Sequence, residues 1–127
     1  MKVTVLSYKQ PVAKSAPQPD NRAYEYGSLL VKVCNADDHT QTVNTSPFRL
    51  VYSDDTEIDS ANTGYDQFPK PEFPWGDHSL AAGRCVKGSI VFEVPKKKRP
   101  LQVTYNVESS ITDDFSMTEP AVYYWTV

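Results

Sequence analysis

A chain of 127 residues, 39% of them hydrophobic and 23% charged, has the size and apolar content of one packed domain and lies far from the composition of disordered chains. The net charge is only -3, and the basic residues are scattered apart from Lys96, Lys97, Lys98 and Arg99, which excludes the basic face that nucleic acid requires. No run approaches the ~20 apolar residues that cross a bilayer as a helix, and eight Tyr, five Phe and ten Pro without an apolar helical stripe favour strands and turns.

Val3, Val5 and, less strictly, Tyr8 begin an alternating first strand, which Pro11, Pro17, Pro19 and Asp20-Asn21 end in a polar connection. From Tyr24 to Asn35 the alternation is sharper: Leu29, Val31 and Val33 share one face, and Leu30, Lys32 and Cys34 the other. After a turn at Asn35, Asp37, Asp38 and His39, a short strand is expected at Thr42 to Asn44. Phe48, Leu50 and Tyr52 then line one face of the next strand, closed by Ser53-Asp54-Asp55. Residues 61–80 combine two glycines and three prolines with Tyr65, Phe68, Phe73 and Trp75, and read as a long ordered loop or a cover over a sheet. Arg84 to Val94 is the clearest strand, with Val86, Ile90, Phe92 and Val94 opposite Cys85, Lys87, Ser89 and Glu93; Pro95 stops it. Leu101, Val103 and Tyr105 start another strand, and Val122 to Val127 forms a last one. Seven to eight short antiparallel strands with turn signals between them predict an all-β sandwich of the immunoglobulin-like kind, as a single domain over residues 1–127.

Both cysteines fall within strands, each opposite the apolar face of its own segment. If those faces form the core, both sulfurs point outward, and a Cys34–Cys85 disulfide joins neighbouring strands of one sheet, unlike the inward bridge of antibody domains. A bridge closing about 50 residues stabilises a fold by roughly 4 kcal/mol in the chain-entropy account. Two free thiols are the alternative. A zinc site is disfavoured, because the spacing is not Cys-x-x-Cys and His39 and His78 would have to arrive from separate loops.

The segment Gly83-Arg84-Cys85-Val86-Lys87-Gly88-Ser89-Ile90-Val91-Phe92-Glu93-Val94-Pro95, followed by Leu101, Val103 and Tyr105, resembles the C-terminal half of the DUF4352 family of bacterial exported proteins. Tyr24, Leu29, Val31, Val33 and Asn35 fit the preceding family strand, and Phe48, Leu50 and the Asp54-Asp55 turn fit the next. The cysteine placements and the Phe73-Pro74-Trp75-Gly76 loop look like its actinobacterial branch. The resemblance covers Val3 to Tyr105; Val107 to Val127 runs longer than the usual family ending. It implies an immunoglobulin-like sandwich found in lipoproteins and secreted proteins, related in fold to a secreted mycobacterial antigen family. It carries no catalytic residues over.

Candidate sites divide by chemistry. A serine hydrolase needs a nucleophile against an oriented histidine, whereas His39 and His78 lie in sequence among polar turn residues with no nucleophile elbow nearby. Asp55, Glu57 and Asp59 share a strand face, which reads as a solvated edge rather than a glycosidase pair. Asp54, Asp55, Glu57, Asp113 and Asp114 are hard oxygen donors on turns but lack EF-hand spacing. Asn44-Thr45-Ser46 matches a glycosylation triplet followed by Pro47. The basic run at 96–99 reads as a solvated connection with a secondary use as an electrostatic contact to the envelope. Tyr65, Phe68, Phe73 and Trp75 are the best candidates for contacting a ligand or partner, although covering a sheet is the more common use of such a loop.

The expectation is therefore a non-enzymatic interaction domain, exported from a bacterium as a secreted protein or lipoprotein whose leader is absent from this chain. Its partner is an unspecified protein or envelope component, with no cofactor, no metal and no nucleic acid. The alternative is a small-ligand or carbohydrate module built on the aromatic loop at 61–80.

Overall fold

The structure is a computed structural model, and it describes residues 2–12, 18–61, 68–106 and 122–126. These form nine strands: β1 (Lys2–Lys9), β2 (Tyr24–Cys34), β3 (Gln41–Val43), β4 (Phe48–Val51), β5 (Glu57–Asp59), β6 (His78–Leu80), β7 (Cys85–Pro95), β8 (Gln102–Asn106) and β9 (Val122–Thr126). One sheet has the order β1-β2-β7, a second has the order β5-β4-β8-β9, and β3 pairs with β6 as a separate ribbon. All the strand pairs are antiparallel.

The fold is an immunoglobulin-like β-sandwich, and the period-2 pattern shows why. Leu29, Val31 and Val33 of β2 and Ile90, Phe92 and Val94 of β7 face Phe48 and Leu50 of β4 and Val103 and Tyr105 of β8, all fully or nearly fully buried. Val43 and Leu80 bring the β3-β6 ribbon onto the same core. Phe48 sits at its centre, edge-on to Phe73 at 5.7 Å and to Tyr105 at 4.9 Å. β1 joins with an irregularity between Val5 and Ser7 that leaves Leu6 exposed and returns Tyr8 to the inner side, opposite Leu29. That bulge is why the alternation of β1 weakens at Tyr8.

The outer face of the β2-β7 sheet is not left to solvent at its middle. Val12, Tyr26, Phe68 and Val91 form a second buried cluster there, with Tyr26 and Phe68 edge to face at 5.1 Å. The free edge of β7 is also occupied. Phe73 N donates to Ser89 O at 3.0 Å, Ser89 N to Pro71 O at 2.9 Å and Ala61 N to Val91 O at 2.8 Å. An unprotected edge is a template for aggregation, and the long loop removes it.

Two expectations are corrected. His78 is not in a polar turn but opens β6, opposite Val43. Leu101 precedes β8 and is exposed, anchored by its N–H to Val51 O at 2.8 Å. At the exit of β2, Asn35 is almost wholly buried and hydrogen-bonded throughout: its Nδ2 donates to His39 O and Leu80 O, each at 2.8 Å, and its Oδ1 accepts from Asp37 N at 3.0 Å. That polar knot fixes one end of the sandwich.

Candidate functional site

The two cysteines close the same end. Cys34 and Cys85 are directly opposed in the β2-β7 register and joined as a disulfide across 51 residues of sequence. Val33 points into the core while Cys85 is exposed, so the bridge lies on the outer face within one sheet, as strand parity predicts.

Of the four aromatic candidates, Tyr65 lies outside the described residues. Phe68 and Phe73 are corrected from ligand contacts to core residues: they are 2% and 0% exposed, because the loop folds onto both faces of the β2-β7 sheet. Trp75 stays at the surface, 48% exposed. The slot beside it, walled by Thr45, Glu72 and Ser89, has room for about 10 Å³, which is one water. The loop is a cover, and it offers no aromatic platform among the described residues.

The acidic candidates separate as well. Glu57 and Asp59 flank Arg49, whose guanidinium is 3.9 Å and 2.8 Å from them, so the acidic face of β5 is paired across the strand. Asp113 and Asp114 lie outside the described residues. No group of three or more His, Cys, Asp or Glu among the described residues is placed to hold a metal ion. His39 is exposed beside Asp38, 3.1 Å away on the same turn. Asn44 and Ser46 form a local turn, Ser46 N donating to Asn44 Oδ1 at 3.0 Å, and Asn44 Nδ2 donates to Asp77.

The concave feature lies elsewhere, at the end opposite the disulfide. After Tyr52 the chain reverses in a tight hairpin: Asp55 N donates to Tyr52 O, Tyr52 N to Thr56 O, and Asp55 takes a left-handed φ of 67°, which Asp tolerates better than most residues. This presents Asp54, Thr56 and Ile58 along the edge of one sheet. Facing them from the other sheet are Tyr24, Glu93 and Pro95, and Lys98 reaches in from the connection after β7. The open seam between them is a groove of about 540 Å³, within the usual range for small-ligand sites. Lys98 Nζ stands 3.3 Å from Asp54 Oδ2 across its mouth. A side-chain hydrogen bond from Thr56, then its backbone N–H, then Lys98 hold the Asp54 carboxyl below the usual carboxylate range.

A buried polar network backs the groove. Tyr8 Oη donates to Gln10 Oε1 at 2.6 Å, and Gln10 Nε2 donates to Glu25 Oε2 at 2.9 Å and to the carbonyls of Pro95 and Lys98 at 3.1 Å each. Arg99 donates to Gln10 O at 3.1 Å, so the basic run at 96–99 is corrected from a purely solvated connection to part of this end's framework. A Cβ at position 27 would stand 2.3 Å from the Tyr8 hydroxyl, so glycine there leaves room for the phenol. Tyr52 is 3% exposed, lines the groove and is the exception: its hydroxyl is buried without a hydrogen-bond partner among the described residues.

Burial, then the charge of Tyr24, pushes Tyr52 from 10.0 up to about 12, and Tyr8 is raised as well, by burial first and by Tyr52 next. Both folded values exceed the unfolded one, so the folded state holds its protons longer. The stability that these two phenols contribute is full below pH 10.0 and falls as the pH climbs through about 12. The urea midpoint is expected to stay level from neutral pH to about 10 and then to drop, with a shallower drop in Tyr8→Phe. A midpoint unchanged throughout that window would show that neither phenol is buried.

Known proteins of one family and two solved structures fit this architecture. The sequence profile described as "Domain of unknown function (DUF4352)" matches residues 1–118, and the chain belongs to that family. No curated protein matches the chain by sequence. Among solved structures, the ycdA product of Bacillus subtilis, provisionally assigned as a lipoprotein, superposes with a TM-score of 0.64 at 16% identity over 98% of this chain. The chain spans 35% of that protein's length. MPT63, a secreted protein of Mycobacterium tuberculosis, superposes with a TM-score of 0.59 at 20% identity, over 84% of this chain and 74% of its own. At these identities the likeness is one of fold.

Proposed function

We propose that this DUF4352 domain is an exported, non-enzymatic interaction domain that binds another envelope or extracellular component through the groove between its two sheets. The observation that carries the reading is the seam itself, where apolar walls from Tyr24, Ile58 and Pro95 surround a few fixed polar groups. That combination is typical of binding sites. Export is supported by the disulfide, since such bridges persist in oxidising compartments, and by the fold shared with a protein provisionally assigned as a lipoprotein and with a secreted protein.

The test is retention of the purified protein on a bacterial cell-envelope fraction, alongside assays on generic ester, peptide and glycoside substrates. Saturable retention that the double variant Tyr24→Ala/Glu93→Gln weakens, with no turnover, is the expected result. Turnover abolished by that variant, or retention indifferent to it, overturns the reading.

A further inference from the structure

We infer that the groove takes a neutral polyhydroxylated ligand, one pyranose unit of a glycan, with the Tyr52 hydroxyl as one of its hydrogen-bonding partners. This deepens the binding reading above and rests on it.

The argument starts from what the lining offers. Asp54 and Glu93 can only accept hydrogen bonds, Lys98 can only donate, and Thr56 can do both. A simple anion entering the groove meets the two carboxylates, and a simple cation meets Lys98. Asp54 and Lys98 already neutralise each other across the mouth, which leaves Glu93 as the one charge of the lining outside an ion pair among the described residues, beside fixed donors and acceptors of both kinds. A hydroxyl group donates and accepts at once, so a polyol satisfies such a mixed set without an unpaired charge. A pyranose ring also carries C–H faces, and the apolar flanks of Tyr24, Ile58 and Pro95 give those faces something to lie against.

The second observation is independent of the lining's composition. The polar groups around it are tied to one another: Tyr8 with Gln10, Gln10 with Glu25 and two carbonyls, and Asp54 with Thr56 and Lys98. Tyr52 alone keeps a buried hydroxyl without a protein partner among the described residues, and it stands in the groove wall. An unsatisfied buried hydroxyl is a cost that folding by itself has no reason to retain, since phenylalanine has the same shape without it. A ligand that supplies the missing partner gives that hydroxyl a use. The hydroxyl itself has almost no accessible surface, so engaging it requires a small movement of the groove lining, while the network behind stays tied.

The experiment is a titration of the ¹⁵N-labelled protein with trehalose, maltose, cellobiose and the disaccharide of N-acetylglucosamine, with tetramethylammonium chloride and sodium acetate as charge probes. At least one sugar is expected to shift the amides of Tyr24, Thr56, Ile58 and Glu93 saturably, while the two ions do not. Tyr52→Phe, which loses one oxygen and keeps the ring, is expected to remain folded and to bind that sugar several-fold to about tenfold more weakly, the worth of one hydrogen bond. Three results overturn the inference: no saturable shift from any sugar, saturable shifts from an ion alone, or undiminished sugar binding by Tyr52→Phe. If envelope retention persists in any of these cases, the glycan assignment falls and the binding reading stands.

Discussion

Phe73→Ala is expected to lower the unfolding free energy by about 3–5 kcal/mol, the range for removing a large buried aromatic side chain. The ring is 0% exposed and packs edge-on against Phe48, while its own N–H donates to Ser89 O of β7 at 3.0 Å. It is therefore both a core side chain and the clamp that holds the long loop against the sheet edge. Gly88→Ala tests the same contact from the other side. A Cβ at position 88 would stand 2.4 Å from Phe73 N and 2.7 Å from Glu72 C, and both are backbone atoms, so the loop itself must lift. Urea unfolding measures both variants; a loss below about 1 kcal/mol for Phe73→Ala, no more than an ordinary surface change, would show that the ring is not in the core.

Replacing both cysteines by serine is expected to cost about 4 kcal/mol, because the bridge spans 51 residues and its removal frees that loop in the unfolded chain. The folded state changes little. Cys34 and Cys85 are neighbours on the ladder, one step beyond the Val33–Val86 pair, and backbone pairing continues along the rest of β2 and β7 without them. The amide spectrum is thus expected to stay native away from positions 34 and 85 while the denaturant midpoint falls sharply. Treating the parent protein with reductant should reproduce that fall. An unchanged midpoint on reduction would mean that the thiols are not linked.

Strong alternation makes the centre of the fold legible in the sequence. Leu29, Val31 and Val33 of β2 and Ile90, Phe92 and Val94 of β7 are apolar at every second position, and the same parity placed both sulfurs on the outer face. β6 was not readable, because three residues, His78, Ser79 and Leu80, hold no period of their own and become a strand only by pairing with β3. The aromatic loop was legible as a cover, but composition alone does not separate Phe73, turned into the core, from Trp75, two residues later and exposed. The groove was illegible for another reason. Its residues come from the start of β2, the turn after β4, the end of β7 and the basic connection, and no local pattern ties Tyr24 to Thr56 or Lys98. The nearest signal was Asp54-Asp55, which read as turn chemistry; it is that, and the turn is what carries Asp54 and Thr56 to the seam.

The register of the first sheet also gives the molecule a direction. Lys2 lies opposite Cys34, whereas Tyr24 lies opposite Pro95, so β1 begins at the disulfide and the groove sits at the far end of β2, roughly 33 Å away at the usual rise per residue. Any tether joined ahead of Lys2 would leave from the bridged end. A surface holding that tether would lie behind the protein, with the groove turned outward, a sandwich's length clear of its anchor.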